Sequence, residues 1–292
     1  MPPESPEPTS PAATRSAQAH LVQLDIAWEN PPENYERVRQ LLDRADLNPG
    51  DLVLLPEMFD TGFSFNIEKT NDKGGATLAF LVELAADFQV IVQGGRTVAA
   101  CHRCAARNVM TVVDGSAATA DPKVLCEYTK IHPFSIGKEH ESFEGGQDVL
   151  TYSLPVHNLK VAPAICYDLR FPELFRQALL QGAQAFALGA CWPVSRQHHW
   201  RALAIARAIE NQAYMLAVNR TGNDPKLEYK GGTIAISPKG DILGELGEDP
   251  GVLSIPIDAA EVRRWREKFP AWRDIKLLRQ PPIQANAPRS IA

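Results

Sequence analysis

From residue 20 onward, short apolar runs of strand length alternate with longer segments whose apolar residues recur at helical spacing. That alternation restricts the chain to folds in which helices cross over a sheet. "HLVQLDIAW" (20–28) and "DLVLLPE" (51–57) read as buried strands, and between them "PPENYERVRQLLDRA" places Val38, Leu41, Leu42 and Ala45 at helical intervals. The three segments make a β-α-β unit. A helix follows at "ATLAFLVELAADF", then strands at "VIVQGGRTV", "RNVMTVVDG" and "VLCEYTKIH". "LKVAPAIC" and "AFALGACW" flank "FPELFRQALLQG", where Pro172 suits a first helical turn and Gly182 a C-terminal cap. A long helix, "SRQHHWRALAIARAIENQ", leads to the strand "YMLAVNR", and "GGTIAISPKGDILGELG" reads as a hairpin turning at Lys239 and Gly240. Strands mixed with hairpins and crossover helices predict an α/β layered fold with a mixed sheet. No linker or composition shift divides residues 20–260, which are expected to form one domain of the 292-residue chain.

The two ends read differently. "MPPESPEPTSPAATRSAQA", residues 1–19, has neither the apolar core of a secretory signal nor the acid-poor, Arg-rich face of a transit peptide, and is expected to be a disordered leader. Residues 261–292 are expected to form an extension, with a short amphipathic helix broken at Pro270 and a loose polar tail. A formal charge of -5, spread without a basic block, argues against nucleic acid or an anionic membrane surface as partner. No apolar run reaches the roughly 18 to 20 residues of a membrane helix. Five cysteines, at 101, 104, 126, 166 and 191, are an odd number in a chain too large to need staples. They predict free thiols in a reducing compartment, the cytoplasm.

Three polar residues stand at the ends of strand-like runs: Glu57 after "LVLLP", Lys130 after "CEYT" and Cys166 after "VAPAI". Sheet ends are where rigid backbone hands over to loops that carry chemistry. A carboxylate can take a thiol proton, a cation can stabilise charge developing on a carbonyl oxygen, and the thiolate can attack. On spacing alone a strand-end cysteine is more often a small core residue, and a strand-end Glu or Lys more often a solvated edge.

Other motifs read more blandly. "CHRC" (101–104) has the spacing of a zinc knuckle, but no second Cys or His pair follows at a suitable distance, so no metal is expected. His198 and His199 are adjacent on a helix and point about 100° apart, which prevents both from facing one metal. "QGGRTVAA" and "KGGT" lack a P-loop lysine or a dinucleotide fingerprint and read as turns. Trp192, Trp200, Trp265 and Trp272 are expected in the core or at an interface, with Trp192 beside the second strand-end thiol.

The local sequences decide between these readings. "LLPEMFDTGFS", "YTKIHPFSIGKEHESFEGG" and "ICYDLRFPELFR" resemble the nitrilase superfamily of carbon-nitrogen hydrolases, and the likeness runs on through "WPVSRQHHWRALAIARAIENQAYMLAVNRTG" to "REKFPAW". The resemblance implies a four-layer α-β-β-α sandwich and a Glu57, Lys130, Cys166 triad. It also implies an oxyanion site completed by the backbone N–H of Tyr167 and a supporting glutamate after the lysine, matched to Glu141. No cofactor is implied, and a homodimer is. "PEMFDTGFS", "CWP" and "REKFPAW" look most like bacterial-type omega-amidases, which hydrolyse the terminal amide of 2-oxoglutaramate and related keto-acid amides. The triad does not choose among these, deaminated-glutathione amidases, N-carbamoyl amino acid amidohydrolases and nitrilases. A scaffold of the same fold would have no need of all three residues. Arg170 and Arg196 are the nearby cations for a substrate carboxylate, each with an equally good reading as a structural or solvated arginine. Two positions depart from expectation: Pro163 requires a locally unpaired strand, and Cys191 stands where the family pattern has another small or polar residue.

Overall fold

The structure, a computed structural model, describes residues 17–100, 106–116, 121–155 and 157–277. Fourteen strands and six helices are found among them. The first half contains β1 (Ala17–Gln23), α1 (Pro31–Leu42), β2 (Leu52–Leu54), α2 (Ile67–Thr70), α3 (Ala76–Phe88), β3 (Ile91–Ala99), β4 (Ala106–Asp114) and β5 (Lys123–Thr129). The second half contains β6 (Tyr152–Leu154), β7 (Leu159–Ile165), α4 (Pro172–Leu180), β8 (Ala185–Ala190), α5 (Gln197–Asn211) and β9 (Tyr214–Asn219). It continues with β10 (Thr221–Asn223), β11 (Glu228–Lys230), β12 (Ile234–Ile236), β13 (Ile242–Glu245), β14 (Gly251–Ile257) and α6 (Ala259–Lys268).

Two six-stranded sheets, ordered β14-β1-β2-β3-β4-β5 and β13-β12-β9-β8-β7-β6, form the two middle layers. In each, a parallel set with crossover helices is extended by antiparallel strands. Ala19 pairs with Leu52 and Leu52 with Ile91 in parallel register, and Val161, Ala185 and Tyr214 repeat the pattern in the second sheet. Strand period explains the packing. Ala19, Leu21, Leu52, Leu54 and Met110 face the core shared with the second sheet, whereas Val22, Val53, Leu55 and Val92 face Val38, Leu42, Leu81 and Leu84 of α1 and α3. Leu174, Phe175, Ala178, Ala204 and Ala208 of α4 and α5 cover the other sheet. The result is the expected four-layer α-β-β-α sandwich with mixed sheets.

The predicted hairpin closes as β12 and β13, with Gly240 at φ 95°, a left-handed value that glycine adopts without a Cβ clash. Two boundaries differ from the sequence reading. β1 begins at Ala17, because residues 17–19 pair with Ile255, Pro256 and Ile257 of β14; of the expected leader, residues 1–16 lie outside the described residues. The C-terminal helix starts at Ala259 and stops before Pro270, and the last 15 positions of the expected tail are likewise outside. The Cys101/Cys104 motif also falls outside. Pro163 sits where required: pairing with β6 ends at Val161, leaving that side of β7 open two residues later. No helix among the described residues is long and apolar enough to cross a membrane.

Candidate active site

The ends of β2, β5, β7 and β8 meet at one edge of the sandwich. Each delivers one group: Glu57, Lys130, Cys166 and Cys191. Lys130 is buried, and its Nζ donates to Glu57 Oε1 at 2.8 Å and to Glu139 Oε1 and Oε2 at 3.0 and 2.8 Å. Asn108 of β4 links the same carboxylates, its Nδ2 donating to Glu57 Oε1 at 2.8 Å and to Glu139 Oε1 at 3.1 Å. The other oxygen of Glu57 accepts from the backbone N–H of Cys191 at 3.0 Å. One ammonium is thus held between two carboxylates. Burial alone would lower the Lys130 pKa, but the charges of Glu139 and Glu57 override it and hold the group well above its ordinary range.

The glutamate that contacts Lys130 is Glu139, not the expected Glu141. Lys138 adopts a left-handed conformation that starts a single 3-10 turn over Glu139–Glu141 and tips Glu139 inward, where it also accepts from the Phe134 N–H. At three residues per turn, Glu141 then points away. Its side chain is 57% exposed and pairs with Lys138 at 3.4 Å. Asn108 and Glu139 were both missed in the sequence; the first reads as an ordinary strand residue and the second as the other glutamate of "KEHES".

Cys166 lies where β7 gives way to a 3-10 turn, Cys166–Arg170, with φ at 45°. Such a value in a non-glycine residue is strained and marks a sharp elbow. The elbow turns the side chain into a small cavity of about 40 Å³ lined by Phe63, Phe134, Tyr167, Trp192 and Leu227, with Arg170 and Arg196 among its walls. The Cys166 thiol is pushed well above its usual pKa by burial and then by the charge of Glu57, with Lys130 pulling the other way. It rests protonated. Cys191 lines the same cavity and donates from Sγ to the Glu57 carbonyl at 3.3 Å, and burial and Glu57 raise its pKa too. Arg170 lies 4.9 Å over the Trp192 ring and contacts His199 Nδ1 at 3.3 Å, and Arg196 lies 5.3 Å over Phe134. Among the described residues neither arginine forms an ion pair with a carboxylate. Nor is there, among them, a group of three or more His, Cys, Asp or Glu side chains fit to hold a metal.

A buried carboxylate and ammonium beside a cysteine at a strained elbow are the groups that thiol-mediated hydrolysis requires. A family model described as "Carbon-nitrogen hydrolase" matches residues 18–267, and the chain belongs to that family. It is an amide-hydrolysing enzyme of the nitrilase superfamily. It is 32% identical to the 2-oxoglutaramate amidase of Bacillus subtilis (strain 168) over 257 residues, 87% of this chain and 96% of that protein. With the omega-amidase YafV of Escherichia coli (strain K12) it shares 29% identity over 256 residues, 87% of this chain and 94% of that one. A crystal structure of a CN-hydrolase superfamily protein from Xanthomonas campestris, with an arsenic adduct in its active site, superposes with a TM-score of 0.79 at 30% identity. That match covers 90% of this chain and 98% of the other.

Proposed function

We propose that the protein hydrolyses the terminal amide of a small dicarboxylic-acid monoamide, 2-oxoglutaramate or 2-oxosuccinamate, to the acid and ammonia. The observation that carries this reading is the pairing of Cys166 with two arginines, Arg170 and Arg196, that share its cavity and have no carboxylate of their own. Phe134 and Trp192 line the cavity beside Cys166 as walls suited to a short apolar stem, and a guanidinium can grip a carboxylate in a forked geometry. The names of the Bacillus subtilis and Escherichia coli relatives point the same way.

Glu57 takes the proton of the Cys166 thiol as sulfur attacks the amide carbon. The raised thiol pKa makes this coupling necessary, since little thiolate exists beforehand. The C=O electron pair moves to oxygen, and the oxyanion is held by Lys130 Nζ and the Tyr167 N–H. Collapse breaks the C–N bond; Glu57 returns the proton to nitrogen and ammonia leaves. Water, deprotonated by the same Glu57, then hydrolyses the thioester and restores the thiol. Glu139 and Asn108 keep Lys130 and Glu57 in place throughout. No cofactor enters these steps. The enzyme is assigned to the cytoplasm as a homodimer joined through α4 and α5, which carry the exposed Leu180 and Ile209.

The test is ammonia release from 2-oxoglutaramate and 2-oxosuccinamate beside glutamine, an N-carbamoyl amino acid, an aliphatic nitrile and a neutral aliphatic amide of similar length. The keto-acid amides are expected to be the best substrates. Arg170→Ala or Arg196→Ala should raise KM for them by on the order of tenfold or more, the worth of a charged hydrogen bond, while sparing the neutral amide. Equal turnover of the neutral amide would overturn the substrate assignment and leave the thiol amidase standing.

A further inference from the structure

Asp168 is buried and lies two residues past the nucleophile, where none of the chemical steps uses it. Its carboxylate nonetheless receives four hydrogen bonds. Oδ2 accepts from the Tyr128 hydroxyl at 2.7 Å and from the Ile165 N–H at 3.0 Å. Oδ1 accepts from the His132 N–H at 3.0 Å and is bonded to His132 Nδ1 at 2.8 Å. These donors fall into two groups. Ile165 immediately precedes Cys166, whereas Tyr128 and His132 lie two residues before and two after Lys130.

One carboxylate therefore spans two segments from different sheets: the end of β5 that carries the ammonium and the elbow that carries the sulfur. Both ends are rigidly seated. Tyr128 is fully buried, and the His132 ring stacks on Phe171 at 3.8 Å, at the foot of the same elbow. Backbone strain such as that at Cys166 costs on the order of 1–3 kcal/mol and persists only where the surroundings over-determine it. The Ile165 N–H bonded to Asp168 supplies such a constraint on the residue that immediately precedes the strained one. Charge-assisted hydrogen bonds are the stronger kind, and a carboxylate offers enough lone pairs for all four donors.

We propose that Asp168 is a positioning residue that fixes the distance between Lys130 Nζ and Cys166 Sγ, and so sets the rate of attack on the amide without touching substrate. The proposal rests on Cys166 and Lys130 being the nucleophile and the oxyanion cation. An asparagine at 168 has nearly the same volume but only one oxygen, so two of the four donors lose their acceptor. Displacements of about 1 Å at a reacting centre can cost on the order of a hundredfold in rate.

The experiment compares wild type with Asp168→Asn, Tyr128→Phe, the double variant and Cys166→Ala, on whichever amide the wild type turns over fastest. Turnover is expressed per site, by counting the fraction of protein whose Cys166 peptide is carbamidomethylated to completion by iodoacetamide. Expected for Asp168→Asn is a fall in kcat of tenfold to a hundredfold with KM within about threefold of wild type. Tyr128→Phe should give a smaller fall of the same kind, and the double variant should be no worse than Asp168→Asn, because both act on one link. The proposal is overturned if Asp168→Asn lowers only melting temperature or the labelled fraction while kcat per labelled site stays at the wild-type value. Should Asp168→Asn fail to fold, Tyr128→Phe decides: wild-type kcat per site in that variant rejects the link. Substantial activity in Cys166→Ala would instead overturn the nucleophile assignment itself.

Discussion

Cys166 is only half-buried and its side chain opens onto a cavity, so truncating it removes little packing. Cys166→Ala is therefore expected to abolish ammonia release while leaving the unfolding midpoint unchanged, as circular dichroism would check; a folded, active variant contradicts the mechanism. An electrophilic amide analogue should add mass to the Cys166 peptide, and labelling confined to Cys191 would move the nucleophile there. Lys130→Met should lose about two or more orders of magnitude in kcat, the usual consequence of removing one oxyanion donor. The two glutamates of the 3-10 turn provide a sharper contrast. Glu139→Gln keeps an acceptor but deprives Lys130 of a countercharge, so kcat should fall severalfold or more, whereas Glu141→Gln, on an exposed ion pair worth little, should behave as wild type. The reverse order in steady-state assays would restore Glu141. Glu57, Lys130 and Cys166 were legible because each follows an apolar run, and a strand end is a place that sequence can mark. Glu139 was not. A single 3-10 turn has no periodicity to read, and which glutamate faces inward is set by the left-handed Lys138, which no propensity announces.

Among the elements, the central strands announced themselves because both their faces are buried, giving continuous apolar runs. β14 did not: Ser254 and Pro256 are exposed and Val252 and Leu253 only half-buried, and "GVLSIPI" gains its place by pairing with β1 from the far end of the domain. Tertiary pairing also fixes two glycines that read only as loop or strand filler. A Cβ on Gly95 of β3 would lie 2.6 Å from the Met58 nitrogen and 2.9 Å from Glu57 Cα, and one on Gly189 of β8 would lie 2.8 Å from the Leu55 oxygen and 3.0 Å from the Glu57 nitrogen. The turn that carries Glu57 is thus pinched between its own sheet and the facing one, against backbone that cannot swing aside. Gly95→Ala and Gly189→Ala should each cost about 1–3 kcal/mol of stability, the usual penalty of overpacking, and lower kcat by displacing Glu57. Gly247→Ala, with nothing within 4 Å of the added carbon, is the control. Urea midpoints and ammonia release for the three variants check this; if Gly95→Ala matches the control in both, the turn has slack.

For the molecule as a whole, Asp60 couples the catalytic edge to the outer helices and makes stability depend on pH. Its backbone oxygen accepts from Asn34 Nδ2 on α1 at 2.6 Å, and its carboxyl accepts from Thr77 Oγ1 on α3 at 2.7 Å, three residues beyond Glu57 in the chain. Burial raises its pKa from 3.8 to about 7; the Thr77 hydroxyl opposes the rise and the charge of Asp72 adds to it. The sign follows from which state releases the proton more easily. In the unfolded chain the carboxyl ionises near 3.8 and in the folded protein near 7, so between those values the unfolded state binds fewer protons and stability declines as pH rises. The stabilising contribution is complete below about pH 4, is lost progressively up to about pH 7, and changes no further above that. A shift of this size corresponds to on the order of 4 kcal/mol. Asp60→Asn removes the titration while keeping an acceptor for Thr77, so it should match wild type in melting temperature below about pH 4 and exceed it increasingly up to about pH 7, with a constant gap beyond. Parallel curves across that range would mean that Asp60 ionises alike in both states. A gap that widens toward acid would mean that the folded protein prefers the carboxylate, and that an unseen cation or water, rather than the layer junction, governs this residue.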